Sequence, residues 1–254
     1  MKPKKLPKKT QIFSVLKSSL DGKTNEDVAV ISERPFRILV NDDFVANIML
    51  TPDNLNEFLY GFLVGQGIAK SKNQIEKTLV DMDKGILWAQ VKGAKIDLTK
   101  ALITSGCAGG ISLNNFNDIE PLKPARAPDL ETLTNLMKEM LKNGELYAKS
   151  GGIHSAALAD KKSIIFQAED IGRHNCLDKV IGYLMLNDIE PEDKIVLTTG
   201  RLSLEAVPKI ARAHISTLGS RSTPTDLAVE IARKLKVNLI GYIRAGKMTV
   251  YNKN

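Results

Sequence analysis

Apolar and polar residues alternate along the first third of the chain, with the two-residue period that predicts β-strands. Four stretches follow this pattern, at residues 27–32, 37–41, 44–50 and 86–91. A helix is expected over 55–63, where large apolar side chains recur at helical spacing after Thr51-Pro52-Asp53-Asn54. These elements predict a small N-terminal lobe that is rich in strands.

Helical and strand-like stretches follow one another from residue 129 onwards. The helices are expected over 129–143, 174–186, 202–213 and 224–235. The strands are expected over 153–159, 163–167, 195–199, 215–218, 237–243 and 248–251. This order predicts an α/β fold with flanking helices, whose hairpins make the sheet a mixed one. The expected parts are a disordered basic tail over 1–26, an N-terminal lobe over 27–125 and an α/β core over 126–254.

The positive charge is concentrated in the tail. The net charge is +7, and five lysines lie within the first ten residues, which leaves 31 basic and 29 acidic residues elsewhere. A short basic tail is usually solvated. An RNA-binding role would rest on that tail alone, so no nucleic-acid partner is expected.

No stretch predicts export or a membrane span. The lysine run is not followed by the apolar region of a signal peptide, and the longest apolar stretch, 58–69, is too short to cross a bilayer. Two cysteines cannot build a disulfide framework or a four-cysteine zinc site. The sequence therefore predicts a cytoplasmic protein with reduced thiols and no membrane partner.

The two cysteines stand in different contexts. Cys107 lies in a glycine-rich stretch, 104–110, whose backbone N–H groups could lower the pKa of a thiol and favour the reactive thiolate. The alternative is a small buried thiol, since free cysteine is among the most buried residue types. Cys176 lies within a helical pattern beside Leu177, which indicates a structural role.

Other candidates cluster where strands end. His154 begins an apolar strand, Arg173 and His174 precede a helix, and Arg201 and Arg221 each follow a strand in a loop rich in hydroxyl groups. Each could be a core residue, a helix cap or a surface ion pair. Together, basic loops at equivalent ends of one sheet favour a shared pocket for an anion or a nucleotide. Neither a Walker motif nor a Gly-x-Gly-x-x-Gly fingerprint is present.

Several separate segments resemble, in the same order, the FdhD family of formate dehydrogenase accessory proteins. The resemblance covers residues 27–252, everything except the tail. It is carried by ERPFRILVNDDF, TPDNLNEFLYGFLVGQGI, GGIHSAAL, EDIGRHNCLDKVIGY, TTGRLSLEAVPKIARAHI, RSTPTDLAVEIARKL and LIGYIRAGKMTVYN.

The resemblance implies a cytidine-deaminase-like α/β core with a smaller N-terminal part, and a homodimer. It implies a sulfurtransferase, in which Cys107 accepts sulfur from a cysteine desulfurase as a persulfide. The sulfur then passes to the molybdenum cofactor, bis(molybdopterin guanine dinucleotide), before this cofactor enters formate dehydrogenase.

The resemblance also implies a cofactor-binding stretch. It matches the segment Tyr242, Ile243, Arg244, Ala245, Gly246 and Lys247. The cofactor's diphosphates and guanine ends, or a guanine nucleotide such as GDP, would contact this segment together with Arg173, His174, Arg201 and Arg221. His154 would line the channel or assist proton movement.

The cysteine loop departs from the family pattern. Many members resemble Cys-x-x-Cys-Gly there, whereas Cys107-Ala108-Gly109-Gly110 has one cysteine, which favours a one-cysteine relay over a dithiol mechanism. A chaperone that binds the cofactor without moving sulfur is the alternative. A zinc deaminase is not supported, because His154 is followed by Ser155-Ala156 instead of x-Glu and no Cys-x-x-Cys is present. No metal site is therefore expected.

Overall fold

The computed structural model describes residues 9–94, 96 and 118–252, and the backbone alone of 102–103 and 111–112. Four β-sheets and their helices are present in these residues, in the order of a mixed α/β protein with a smaller N-terminal lobe. This agrees with the predicted fold class. Within the described residues, no helix is long and apolar enough to cross a membrane.

The first two strands form a hairpin, which we call the arm. β1 (Thr10–Ser19) and β2 (Gly22–Ile31) pair antiparallel over their whole length. This differs from the disordered tail that we expected over 1–26. The apolar residues among 12–16 and the turn at Gly22, whose φ is +143°, are hairpin signals that the lysine-rich start of the chain obscured.

The N-terminal lobe is a four-stranded sheet covered on one face by a helix. Its elements are β3 (Arg34–Val40), β4 (Asp43–Leu50), α1 (Leu55–Gly65), a short 3-10 helix (Lys72–Gln74), β5 (Ile75–Asp81) and β6 (Ile86–Val91). The strand order is β4-β3-β6-β5. Phe36, Ile38, Leu87 and Ala89 pack in one apolar cluster with α1. The strands predicted over 37–41, 44–50 and 86–91 and the helix are confirmed in this lobe, β5 is an addition to them, and the strand predicted over 27–32 belongs to the arm. After this lobe, β7 (Leu102–Ile103) pairs antiparallel with β8 (Ile111–Ser112).

The core is a six-stranded mixed sheet between two layers of helices. Its helices are α2 (Leu130–Asn143), α3 (Glu145–Ser150), α4 (Arg173–Leu186), α5 (Ala206–Arg212) and α6 (Asp226–Leu235). Its strands are β9 (His154–Ala159), β10 (Ile164–Asp170), β11 (Ile195–Thr198), β12 (Thr217–Ser220), β13 (Asn238–Arg244) and β14 (Lys247–Val250).

The strand order of this sheet is β10-β9-β11-β12-β13-β14. The three central strands β11, β12 and β13 are parallel, and the hairpins at either side supply the antiparallel pairs. Apolar residues of α2 pack with one face of the sheet, and those of α4, α5 and α6 pack with the other. The predicted mixed sheet is confirmed.

Two glycines let the lobe and the core approach closely. A Cβ on Gly182 of α4 would lie 1.7 Å from the carbonyl oxygen of Glu57, and one on Gly61 of α1 would lie 1.8 Å from that of Asp178. Any larger residue at either position would push the helices apart, because real Cβ atoms do not approach other atoms so closely. The α1–α4 junction therefore fixes the N-terminal lobe against the helix that follows β10.

Candidate functional site

Five chain segments meet at one edge of the six-stranded sheet. β9 starts at His154, which lies opposite Asp170, the last residue of β10. β11 ends at Thr198, opposite Ser220 at the end of β12. β13 runs parallel to β12, so the turn that follows it lies at the same edge. The loops singled out in the sequence are thus neighbours, as expected for the carboxyl ends of parallel strands.

One end of this edge, which we call the histidine end, consists of His154, Arg173, His174, Ser203 and Glu205. His174 lies at its centre, with Nε2 at 2.8 Å from Ser203 Oγ and Nδ1 at 3.5 Å from Glu205 Oε2. Arg173 is buried, with 8% of its surface exposed. A Cβ on Gly200 would lie 2.8 Å from the Cβ of Arg173, so glycine lets the loop after β11 close over it.

The histidine end holds its imidazoles uncharged. Burial, helped by the positive charges of Lys209 and Arg173, lowers the pKa of His174 to about 3. Burial and then Arg173 lower the pKa of His154 as well. Because Nδ1 of His174 faces the carboxyl group of Glu205, we assign the proton of the neutral ring to that nitrogen, which leaves Nε2 to accept the hydroxyl hydrogen of Ser203. His174 therefore contributes hydrogen bonds to the site but no positive charge.

A buried carboxylate holds the loop that carries Arg173 and His174. Asp170 Oδ2 accepts hydrogen bonds from Lys179 Nζ (2.6 Å) and from the backbone N–H of Thr51 (3.1 Å). Its Oδ1 accepts from Asn175 Nδ2 (2.7 Å) and from the N–H of Gly172 (2.9 Å). The side chains of Asp170 and Lys179 have no exposed surface. Since Thr51 belongs to the N-terminal lobe, this cluster ties the site to the α1–α4 junction.

A second buried pair lies behind His174. Lys209 Nζ lies 2.6 Å from Asp178 Oδ1, and both side chains are almost fully buried. Burial outweighs the attraction of Lys209 and raises the pKa of Asp178 to about 6. The Lys209 ammonium also helps to lower the pKa of His174. The histidine end therefore rests on charges that are buried below it.

The loops after β11 and β12 are tied to each other. Thr198 Oγ1 donates to the carbonyl of Ser155 (3.1 Å), and Ser220 Oγ donates to the carbonyl of Gly200 (2.6 Å). The N–H of Arg221 donates to the carbonyl of Thr198 (3.1 Å). The hydroxyl groups thus hold the loops in shape, while the side chains of Arg201 and Arg221 are exposed.

The other end of the edge, which we call the arginine end, is exposed and cationic, and consists of Arg201, Arg221, Tyr242, Arg244 and Lys247. The guanidinium of Arg244 lies 4.6 Å from the centre of the Tyr242 ring. Tyr242, Ala245 and Gly246 all have positive φ, which shapes the turn between β13 and β14. An open cavity of about 820 Å³ is lined by Leu130, Tyr242 and residues 244–249.

The predicted cofactor-binding stretch is divided between cavity and core. Tyr242, Arg244, Ala245, Gly246 and Lys247 line the cavity. The side chain of Ile243, in contrast, is fully buried in the apolar cluster beneath α2. Side chains alternate across a strand, so the residue between Tyr242 and Arg244 faces the core. We therefore withdraw the Ile243 side chain as a ligand contact.

Of the two cysteines, Cys176 lies within the described residues. Cys107 lies outside the described residues; on either side of it, Ile103 and Ile111 are paired across β7 and β8. Cys176 is fully buried, and its Sγ donates to the carbonyl of His154 (3.4 Å). Burial raises the pKa of the Cys176 thiol well above its ordinary value. The structural role predicted for Cys176 is confirmed.

Two members of the histidine end were missed from the sequence. Ser203 and Glu205 follow Arg201 at alternate positions just before α5, where a serine and an acid look like helix-capping residues. Their polarity at the end of a strand was the available signal. In the part of the chain that is described, no three His, Cys, Asp or Glu side chains are grouped as metal ligands would be.

Comparison with known proteins gives consistent matches along the chain. Residues 31–254 match the model of the FdhD/NarQ family. A protein of Bacillus pumilus named sulfur carrier protein FdhD is 31% identical over 251 residues, covering 96% of this chain and 95% of its own. The protein of that name from Bacillus licheniformis is 34% identical over 229 residues, covering 87% and 86%. The crystal structure described as that of a formate dehydrogenase accessory protein from Desulfotalea psychrophila superposes with a TM-score of 0.80 at 26% identity, covering 96% of this chain and 97% of its own.

Proposed function

The chain belongs to the FdhD/NarQ family, and on that basis we propose that it is a sulfur carrier that serves a formate dehydrogenase. The names of its relatives support both halves of this statement. We further propose that it acts as a sulfurtransferase in the cytoplasm, between a cysteine desulfurase and the molybdenum cofactor.

The burial of Cys176 is the observation that decides which of the two cysteines we assign as the carrier of sulfur. The chain has two cysteines, and transfer needs an accessible thiolate. Cys176 has no exposed surface and a raised thiol pKa. Cys107 is therefore the thiol that we assign to the relay.

The transfer consists of two displacements at sulfur. The Cys107 thiolate attacks the outer sulfur of the desulfurase persulfide, a new S–S bond forms on Cys107, and the desulfurase thiolate leaves. In the second step the acceptor supplies the electron pair of its new bond to the outer sulfur. The S–S bond then breaks and Cys107 leaves as a thiolate. Thiol and persulfide alternate, so the carrier needs no second cysteine.

The arginine end suits a ligand that carries diphosphates and guanine bases. Guanidinium groups bind phosphate oxygens through paired hydrogen bonds, and Arg201, Arg221 and Arg244 are exposed there. The Tyr242 ring offers a face on which a base can stack. The cavity of about 820 Å³ beside it lies within the range of about 300–1,000 Å³ that is usual for ligand pockets. We propose that bis(molybdopterin guanine dinucleotide) binds here, with GDP as a usable fragment of it.

The relay is tested by measuring the mass of the intact protein and of its tryptic peptides after incubation with a cysteine desulfurase and cysteine. We expect one additional sulfur atom on the peptide that contains Cys107, removed by a thiol reductant. The variant Cys107→Ala should gain none, whereas the matched variant Cys176→Ala should gain as much as the wild type. No gain on Cys107 in the wild type would leave a cofactor-binding chaperone as the better description.

The cellular consequence is tested in a strain that lacks its own copy of the gene. Cys107→Ala should leave formate dehydrogenase inactive while the purified variant binds GDP as the wild type does. Active dehydrogenase in cells with that variant would contradict the relay, whatever the result of GDP binding.

A further inference from the structure

The arm exposes apolar residues on both of its faces. Ile12 and Leu16 lie on one face and are 64% and 59% exposed, while Phe13 and Val30 lie on the other and are 49% and 43% exposed. No residue of β1 or β2 is fully buried. At its base the arm is held by an ion pair between Lys9 and Asp53, and β2 packs on α3.

Such an arm is poorly stabilised by itself. A two-stranded hairpin is at best marginally stable in water unless a further strand or a helix covers it. Apolar side chains on both faces are also unusual for a hairpin that remains in solvent, because each carries a cost of hydration that burial would remove. The arm therefore has the composition of a hairpin that packs against another protein surface instead of remaining in solvent.

A second uncovered apolar surface lies on the N-terminal lobe. On the face of its sheet opposite to α1, one row of side chains crosses all four strands in register: Phe44, Leu39, Trp88 and Leu79. Phe44 and Leu79 are 45% and 55% exposed. The indole N–H of Trp88 donates to Asp42 Oδ1 (2.9 Å), which fixes the orientation of its ring. We call these four residues the apolar row. Aromatic residues at the centre of a surface patch are typical of protein interfaces.

We infer that the arm of one copy of this chain packs on the apolar row of a second copy, in a reciprocal dimer. The face of the arm that packs is the more exposed one, with Ile12 and Leu16. This face and the apolar row belong to the same chain, and a two-fold arrangement would cover both of them in both copies. The family resemblance implies pairing but does not specify which surfaces meet, whereas the arm and the row do.

The size of the arm agrees with a stable dimer. Strands of ten residues make one face of the arm about 34 Å long and about 10 Å wide, or about 340 Å². Two reciprocal arms, each covering an equal patch of its partner, therefore bury about 1,400 Å² in total, inside the usual range of about 1,200–2,000 Å² for specific interfaces. Two sheets packed face to face are a common way to build such a contact.

The association is tested by sedimentation velocity over a range of concentrations of the full chain. We expect a wild-type dimer, and Leu16→Ser in the arm or Leu79→Ser in the row should each raise its dissociation constant by about tenfold or more, since each removes two buried leucines per dimer. Leu227→Ser on α6 is the matched control, because Leu227 is 48% exposed and belongs to neither surface. A monomeric wild type, or a dimer unaffected by both substitutions, would overturn the inference.

The arrangement is tested by placing a photoreactive phenylalanine analogue at position 16 and mixing isotopically light and heavy copies. Crosslinks between light and heavy chains should join the arm to peptides of the lobe sheet, residues 34–50 or 75–91. Crosslinks from arm to arm, or within one chain only, would contradict the packing of the arm on the apolar row.

Discussion

The two ends of the candidate site carry similar residue types in opposite environments. At the histidine end Arg173 and His174 are buried or nearly so, and both imidazoles are neutral. At the arginine end the charged side chains are exposed, and those of Arg244 and Lys247 line an open cavity. Salt screens the attraction of exposed charges for an anionic ligand. Buried groups with fixed orientations instead favour ligands whose hydrogen-bonding atoms point in matching directions. For the ligand proposed above, we therefore expect the arginine end to supply most of the affinity and the histidine end to supply orientation.

The contrast arises from what lies beneath each end. The loop of the histidine end rests on the Asp170–Lys179 pair and on the glycine-lined α1–α4 junction. The arginine end is a turn between two strands, and its residues owe their positions to backbone conformations with positive φ. We therefore expect substitutions to act on stability at the first end and on ligand binding at the second.

The largest effect is expected for Lys179→Met. This change leaves the Asp170 carboxylate buried without its cation, and breaking such a pair costs about 3–5 kcal/mol. Arg244→Gln at the arginine end should change the free energy of unfolding by less than about 1 kcal/mol, because its contact with Tyr242 is exposed. Urea unfolding of both variants measures the difference. Similar losses in the two would remove the contrast between the ends.

The next effect is a pH dependence that belongs to His174. Its folded pKa of about 3 lies below the ordinary value of about 6.5 for an unfolded chain, so the unfolded state binds more protons between those values. Its contribution to stability is complete above the unfolded pKa and is lost as the pH falls. His174→Gln cannot titrate, and relative to the wild type it should gain about 1.6 kcal/mol between pH 6.5 and pH 5.

Asp178 changes stability with pH in the opposite direction to His174. The effect of His174 is therefore measured as the difference in unfolding free energy between the wild type and the variant. Its folded pKa of about 6 lies above its ordinary value near 3.9, so its protonation stabilises the folded state at low pH, and this contribution is lost as the pH rises through 6. The two groups partly cancel in the wild type. Urea unfolding of wild type and His174→Gln at matched pH values separates them, and a difference independent of pH would show that His174 titrates as an exposed histidine does.

The position of the site could be predicted from the sequence. Alternating strands and helices place the carboxyl ends of parallel strands at one edge, so the loops containing Arg201 and Arg221 had to be neighbours. The start of the antiparallel β9 and the turn after β13 joined them because the hairpins were recognisable from their alternation and their Gly/Lys-rich turns.

The environment of each residue could not be predicted in the same way. The low pKa of His174 depends on burial and on Lys209, which α5 brings close to it. Ile243 lies between two cavity residues and still faces the core, since the twofold period of a strand decides its direction. Of the arm, only the end of β2 was predicted, as the strand over 27–32. The strand β1 and the start of β2 were missed because the lysines at the start of the chain dominated the interpretation of residues 1–26.

An effect of similar size, but on ligand binding, is expected for Arg244→Gln. Loss of one charge-assisted hydrogen bond to phosphate, worth about 1.5–3 kcal/mol, should weaken GDP binding by about tenfold or more at low salt. The loss should shrink as salt is added, because the wild type loses the same attraction to screening. Titration calorimetry at two salt concentrations measures this, and an unchanged affinity would remove Arg244 from the ligand site.

The smallest effect is expected for Ser203→Ala at the histidine end, and it separates the two ends most clearly. Ser203 gives its hydroxyl hydrogen to His174 Nε2 (2.8 Å), so its oxygen can only accept a hydrogen bond from a ligand. A neutral hydrogen bond contributes about 0.5–1.5 kcal/mol, which is a loss of a few-fold in affinity for a ligand that reaches it. No charge is removed, so the same fractional loss should appear at low and at high salt. A loss that falls with salt, as for Arg244→Gln, would mean that Ser203 acts through the charges around it and that the two ends work by one mechanism.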